Sequence, residues 1–125
     1  MLIVYLSLVG NVRNFVDRLG MESLEINQSN PLVEVDRDYV IIIPTYSDDI
    51  TDIIDDFISY KENRKYLKCV VGSGDRNFGN NYIFNAKDIS KIHGVPIAFN
   101  FEKSGTDSDL INFRKEVEKY CNKNK

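Results

Sequence analysis

Near the amino end, Ser7-Leu8-Val9-Gly10-Asn11-Val12 separates an apolar run, Leu2 to Leu6, from a stretch with Val12, Phe15, Val16 and Leu19 at helical spacing. A strand that feeds a helix through small polar residues turns several backbone N–H groups and the positive helix end toward an anion. The hexamer has neither the Lys of a Walker loop nor the three spaced glycines of a dinucleotide fingerprint, so a single terminal phosphate is the fitting ligand. Two later segments, Pro44-Thr45-Tyr46-Ser47-Asp48-Asp49 and Gly72-Ser73-Gly74-Asp75-Arg76-Asn77-Phe78-Gly79, each set one aromatic among residues that leave backbone amides accessible. Tyr46 and Phe78 either pack their own loops or stack on a planar ring, a contact worth about 1 kcal/mol beyond area burial. Gly72, Gly74 and Gly79 let the backbone approach a ligand's polar edge closely. The combination suits a planar ring with a phosphorylated tail. Arg76 is open to three readings: an exposed charge, a partner contact, or a screen near the ring.

The remaining reactive side chains assemble nothing. Cys69 lies in an apolar run and Cys121 near the carboxyl end, far apart and in no C-x-x-C pair, so they read as a buried small hydrophobe and a helix thiol. The single histidine, His93, closes a helical pattern just before Gly94, a helix-end position. Neither a metal centre nor a nucleophilic triad can be built from such residues, so any redox chemistry must come from a cofactor.

These segments need a scaffold, and 125 residues suffice for one domain, 1–125, with its own core. The net charge of −3, with acidic residues not gathered in a tail, gives nucleic acid no electrostatic footprint. Neither a leader pattern nor a stretch of membrane-spanning length is present in the sequence, and a cytoplasmic location is expected. Nothing demands more than a monomer.

Apolar runs predict strands at Leu2–Leu6, Leu24–Ile26, Tyr39–Ile43, Lys68–Val71 and Val95–Phe99, most of them Val/Ile-rich and continuous, as in a parallel sheet covered on both faces. Helical spacing appears in four places: Val12 to Leu19 ended by Gly20; Ile50, Ile53, Ile54, Phe57 and Ile58; Tyr82, Ala86, Ile89 and Ile92 ended by Gly94; and Leu110, Phe113, Val117 and Tyr120. Thr106 and Asp109 resemble a capping box for the last helix. Only Asn27 to Asp38, with Asn30-Pro31, lacks a helical period. Twelve extended residues reach roughly 40 Å, enough to step over one strand, so the expected architecture is an α/β three-layer sandwich with a five-stranded parallel sheet of order 2-1-3-4-5. A polar, frayed end is expected at Asn122 to Lys125. In such a sheet ligands sit beyond the carboxyl ends of the strands where the order reverses, between strands one and three. That is where the three loops meet.

The Ser-x-x-Gly-Asn-Val hexamer, the missing helix between strands two and three, and above all Gly72 to Gly79 resemble the NrdI family, small flavodoxin-like proteins of class Ib ribonucleotide reductase systems. The resemblance runs over almost the whole chain. It implies a noncovalent FMN with its phosphate on Ser7, Leu8, Val9, Gly10, Asn11 and Val12. The ring would lie between Pro44, Thr45, Tyr46 and Ser47 on one side and Ser73, Gly74, Asn77, Phe78 and Gly79 on the other. It further implies that the reduced flavin reacts with oxygen and supplies superoxide or peroxide to the dimanganese small subunit NrdF, where a tyrosyl radical is generated, and that a separate reductase donates the electrons. The metals then belong to the partner, and no side chain here need be an acid, base or nucleophile.

One departure stands out. The family's loop after strand three typically carries glycines beside the flavin N5, whereas this chain has no glycine between Pro44 and Gly72. A peptide flip there is expected to cost more and so to stabilise a semiquinone less, and Asp48 and Asp49 are expected to disfavour the anionic hydroquinone. One of the two aspartates is expected to cap the Ile50 helix. The alternative within the same fold is a general electron-transfer flavodoxin serving another reductase. A phosphoacceptor receiver domain needs a carboxylate cluster and an acceptor Asp after strand three, where this chain has Ser7 and Pro44-Thr45 instead. A flavin-free interaction module is the contrasting reading, distinguished by absorption in the flavin band.

Overall fold

The computed structural model describes residues 1–121, with the side chains of Asn80 and Cys121 excepted. The expected frayed end at Asn122 to Lys125 and the Cys121 thiol therefore lie outside the described residues. Five parallel strands, β1 (Leu2–Leu6), β2 (Ser23–Ile26), β3 (Tyr39–Pro44), β4 (Leu67–Gly74) and β5 (Ile97–Glu102), form one sheet in the order β2-β1-β3-β4-β5. Helices α1 (Asn11–Leu19) and α5 (Asp107–Cys121) cover one face; α2 (Asp48–Ser59), the short α3 (Asn63–Tyr66) and α4 (Phe84–His93) belong to the other.

The two faces follow from the two-residue period of a strand. Ile3, Tyr5, Val40, Ile42, Cys69 and Val71 pack with Val12, Phe15, Val16 and Phe113. The alternate residues Leu2, Val4, Leu6, Ile41, Ile43 and Val70 pack with Ile54, Phe57, Ala86 and Ile89. Every residue of β1 and β3 is buried, which is why these runs are continuous rather than alternating. The helix ends also follow local rules. Gly20 and Gly94 close α1 and α4 in the left-handed conformation. Thr106 N–H donates to Asp109 Oδ2 at 2.8 Å while Asp109 N–H donates to Thr106 Oγ1 at 3.1 Å, the reciprocal capping box that opens α5.

Residues 27–38 contain no helix, and a buried side chain shows how the chain holds them. Asn63 Oδ1 accepts the Val35 N–H at 2.9 Å, and its Nδ2 donates to the carbonyls of Val33 and Phe57, each at 2.8 Å. Val35 is thereby pinned into the core where a crossover helix would otherwise sit.

β5, β4 and α4 differ most from the expected boundaries. β5 starts at Ile97, not Val95, because the Val95 N–H donates back to the Ser90 carbonyl at 3.2 Å and Pro96 has no N–H to offer a ladder. β4 runs through Gly74, so Gly72 and Ser73 are strand residues paired to Ile43 and Pro44, not loop. A Cβ on Gly72 would stand 2.8 Å from the Ile83 Cβ, so this glycine admits the segment leading into α4 rather than a ligand. α4 starts at Phe84, so Tyr82 lies outside it; Ile92 lies inside it, ahead of the expected closure at Gly94, but is 56% exposed and not part of the apolar face.

Candidate functional site

A cavity of about 500 Å³ opens at the carboxyl ends of the strands, within the range of small-molecule sites. Leu8, Val9, Asn11 and Val12 line one end, Pro44, Thr45 and Tyr46 one wall, and Ser73, Gly74, Asp75 and Phe78 the other, with Lys103 completing the lining. The three expected loops thus converge. Tyr46 and Phe78 are 76% and 61% exposed, large aromatics left available at the rim rather than folded into their own loops.

The first loop has the character of an anion cradle. Gly10 takes φ 91, open to it at no Cβ cost, and turns the chain into α1 without any side-chain cap. Ser7 Oγ accepts the Arg13 N–H at 3.2 Å. The N–H groups of Val9, Gly10, Asn11 and Val12 have no hydrogen-bond partner among the described residues. Uncommitted amides at a helix N-terminus are what a phosphate requires. Asn11 Oδ1 accepts from Ser104 Oγ at 2.9 Å, anchoring the helix start to the turn after β5.

The other loops are tied together. Thr45 Oγ1 donates to the Ser73 carbonyl at 2.8 Å, Ser73 Oγ donates to the Lys103 carbonyl at 2.9 Å, and the Lys103 N–H donates to the Gly74 carbonyl at 3.0 Å. This relay crosses the ends of β3, β4 and β5 and holds Lys103 at φ 52. The Tyr46 N–H is held by the fully buried Asn85 at 3.0 Å.

Five expected residues do not line the cavity. Ser7 and Gly10 shape the cradle from behind, and Ser47 is the N-cap residue of α2. The Asn77 N–H donates to Asp75 Oδ1 at 2.9 Å, and Gly79 at φ 57 breaks the 3-10 turn Arg76–Asn81. The aspartates after Tyr46 are placed otherwise than expected. Neither Asp48 nor Asp49 is the cap; both stand in the first turn of α2, where carboxylates favour the helix dipole, and neither borders the cavity. The carboxylate that does is Asp75. Arg76 is exposed and paired with Glu102 at 2.9 Å, outside the lining. His93 ends α4, its Nε2 2.7 Å from Asp55 Oδ1, and Cys69 is fully buried in β4.

Sequence reasoning missed Asp75, Lys103 and Asn85. Asp75 lies within the Gly72–Gly79 segment with no local pattern to mark it, and Lys103 directly follows β5, which runs to Glu102, beyond the apolar run that ends at Phe99. Asn85 carried a signal: it stands four residues before Ile89, a polar residue in apolar register.

The sheet order, the cradle after β1 and the aromatic-rimmed cavity define a flavodoxin-like α/β protein. A search of solved structures agrees on the fold: a short-chain flavodoxin associated with a non-canonical PDU bacterial microcompartment superposes with TM-score 0.60 at 18% identity, covering 98% of this chain and 96% of that one. The family model described as NrdI flavodoxin-like matches residues 3–115, and the chain belongs to the NrdI family. Among similar proteins, NrdI of Bartonella tribocorum is 36% identical, covering 96% of this chain and 95% of the relative. NrdI of Ruegeria sp. is 34% identical, covering 90% and 84%. Membership of a flavodoxin-like family makes a flavin the cofactor class against which this cavity is measured. An open set of amides at one end and two exposed aromatics at the other fit that class.

Proposed function

We propose that the chain binds FMN noncovalently and serves as the redox protein that activates an NrdF-type dimanganese subunit of ribonucleotide reductase. The observation that carries the reading is the pairing, in one cavity, of a charge-free phosphate cradle with the exposed rings of Tyr46 and Phe78. When bound, FMN supplies the chemistry, passing electrons from a separate reductase to oxygen so that superoxide or peroxide reaches the partner's metals. The chain's residues bind and orient. The Val9 to Val12 amides face the phosphate, the aromatics shield the ring, and the relay through Thr45 and Ser73 keeps the two walls in register.

Reconstitution with FMN and with riboflavin tests the cofactor. A yellow complex that bleaches with dithionite, reoxidises rapidly in air and binds FMN far more tightly than riboflavin is the expected result. No flavin band, or equal affinities, overturns it. Copurification with a dimanganese subunit and its activation by the reduced protein are expected. Reduction of an unrelated reductase without such activation would instead mark a general electron-transfer flavodoxin.

A further inference from the structure

The loop after β3 is held by a side chain that lies outside the cavity lining. Asn85, at the start of α4 and fully buried, accepts the Tyr46 N–H on Oδ1 at 3.0 Å. Its Nδ2 donates to the Ser47 carbonyl at 2.8 Å and to Thr51 Oγ1 at 3.0 Å. Both amide hydrogens and the oxygen are used, which fixes the orientation of the group. The Ser47 carbonyl also accepts the Ile50 N–H at 3.1 Å.

A peptide unit joins the carbonyl of one residue to the N–H of the next and moves as a rigid plate. Asn85 therefore holds two plates: Thr45–Tyr46 through its N–H and Ser47–Asp48 through its carbonyl. The plate between them is untethered. Neither the Tyr46 carbonyl nor the Ser47 N–H has a hydrogen-bond partner among the described residues. Such a plate can turn about ψ of Tyr46 and φ of Ser47 while its neighbours stay in place. Turning swaps the sides on which the Tyr46 carbonyl and the Ser47 N–H stand, and it carries Ser47 from φ −131 to a positive φ, which a side chain resists.

We propose that Asn85 is the positioning residue of this loop: it confines the backbone freedom there to the single Tyr46–Ser47 peptide, which presents either a donor or an acceptor to the polar edge of the bound ring. Ser47 sets the cost of turning. The consequence rests on the flavin reading above; the clamp itself does not. A flavin ring gains a proton on nitrogen when reduced, so an acceptor facing it favours the reduced form and a donor the oxidised form.

Amide exchange on the flavin-free chain tests the clamp. In the wild type the Tyr46 amide must exchange more slowly than the adjacent Ser47 amide, and the reverse order overturns the proposal without any variant. In Asn85→Ala the Tyr46 amide is expected to exchange about tenfold faster, while Val40 to Ile43 stay protected because β3 remains folded. Equal Tyr46 rates in two folded chains overturn it. Redox titration of the flavin-loaded chains tests the hinge. In this proposal the turned plate is the one that offers its carbonyl to the ring, so Ser47→Gly, which makes that plate cheaper, is expected to raise the potential of the first one-electron step. Asn85→Ala is expected to lower it, because loosened flanks no longer aim the acceptor. Shifts of the same sign, or none, overturn the single hinge. If no flavin binds, the functional reading falls while the exchange order still decides the clamp.

Discussion

Asn63→Ala should destabilise the chain by about 3 kcal/mol without touching the cavity. The substitution removes three side-chain hydrogen bonds from a fully buried position. Each is worth about 1 kcal/mol net, and a stranded buried donor adds a further penalty of about 1–3 kcal/mol. Not all of this is lost. The Phe57 carbonyl keeps the Tyr60 N–H at 3.2 Å, whereas the Val35 N–H, on a residue only 6% exposed, keeps nothing. For a 125-residue domain such a loss lowers Tm by about 10 °C and moves the urea midpoint by roughly 1.5 M. With no Trp in the chain, far-UV circular dichroism is the appropriate probe. Asn63 precedes β4 at the amino end of the sheet, opposite the cavity, so FMN affinity measured where both chains are fully folded should be unchanged. A loss below about 1 kcal/mol would refute the view that Asn63 replaces a crossover helix. So would a weakened FMN complex.

Gly10→Ala forces a Cβ residue to φ 91 where nothing lies within 4 Å, so the cost is conformational, about 1–2 kcal/mol; calorimetry should find lower stability and weaker FMN binding, with riboflavin little affected. Lys103 is the sole cation among the lining residues. Lys103→Glu should weaken FMN binding about tenfold at low ionic strength, an effect that added salt diminishes in titration calorimetry. Glu25 is held below the ordinary carboxylate value of 4.5, chiefly by its hydrogen bonds from Arg13. A depressed value adds stability that is present above the unfolded value and lost as pH falls through the folded one. Glu25→Gln should therefore be less stable than wild type at neutral pH, with the difference shrinking below about pH 4.5 in acid titrations followed by circular dichroism.

The sheet order was legible because β1 and β3 are unbroken apolar runs and residues 27–38 plainly lack a helical period. The convergence of three loops followed from that order alone. What the chain concealed was mostly the work of single polar side chains. Asn63 and Asn85 are fully buried because each satisfies backbone groups far away in sequence, a property of the assembled fold and not of a local window. The strand end at Gly74 was hidden because glycine reads as loop, although here its absent side chain serves close packing. Asp48 and Asp49 looked like caps, but Ser47 already occupies the cap position.

The relay that joins Thr45, Ser73 and Lys103 divides the site into two mechanical regimes. Where it runs, at Thr45, Ser73 and Lys103, the walls are braced before a ligand arrives, so little ordering entropy is lost there. Leu8 to Gly10 have no such bracing, and Val9 is 82% exposed. On the proposed FMN reading, the entropic cost of closing the phosphate end falls on these three residues, and the phosphate that orders them would decide which flavin is retained.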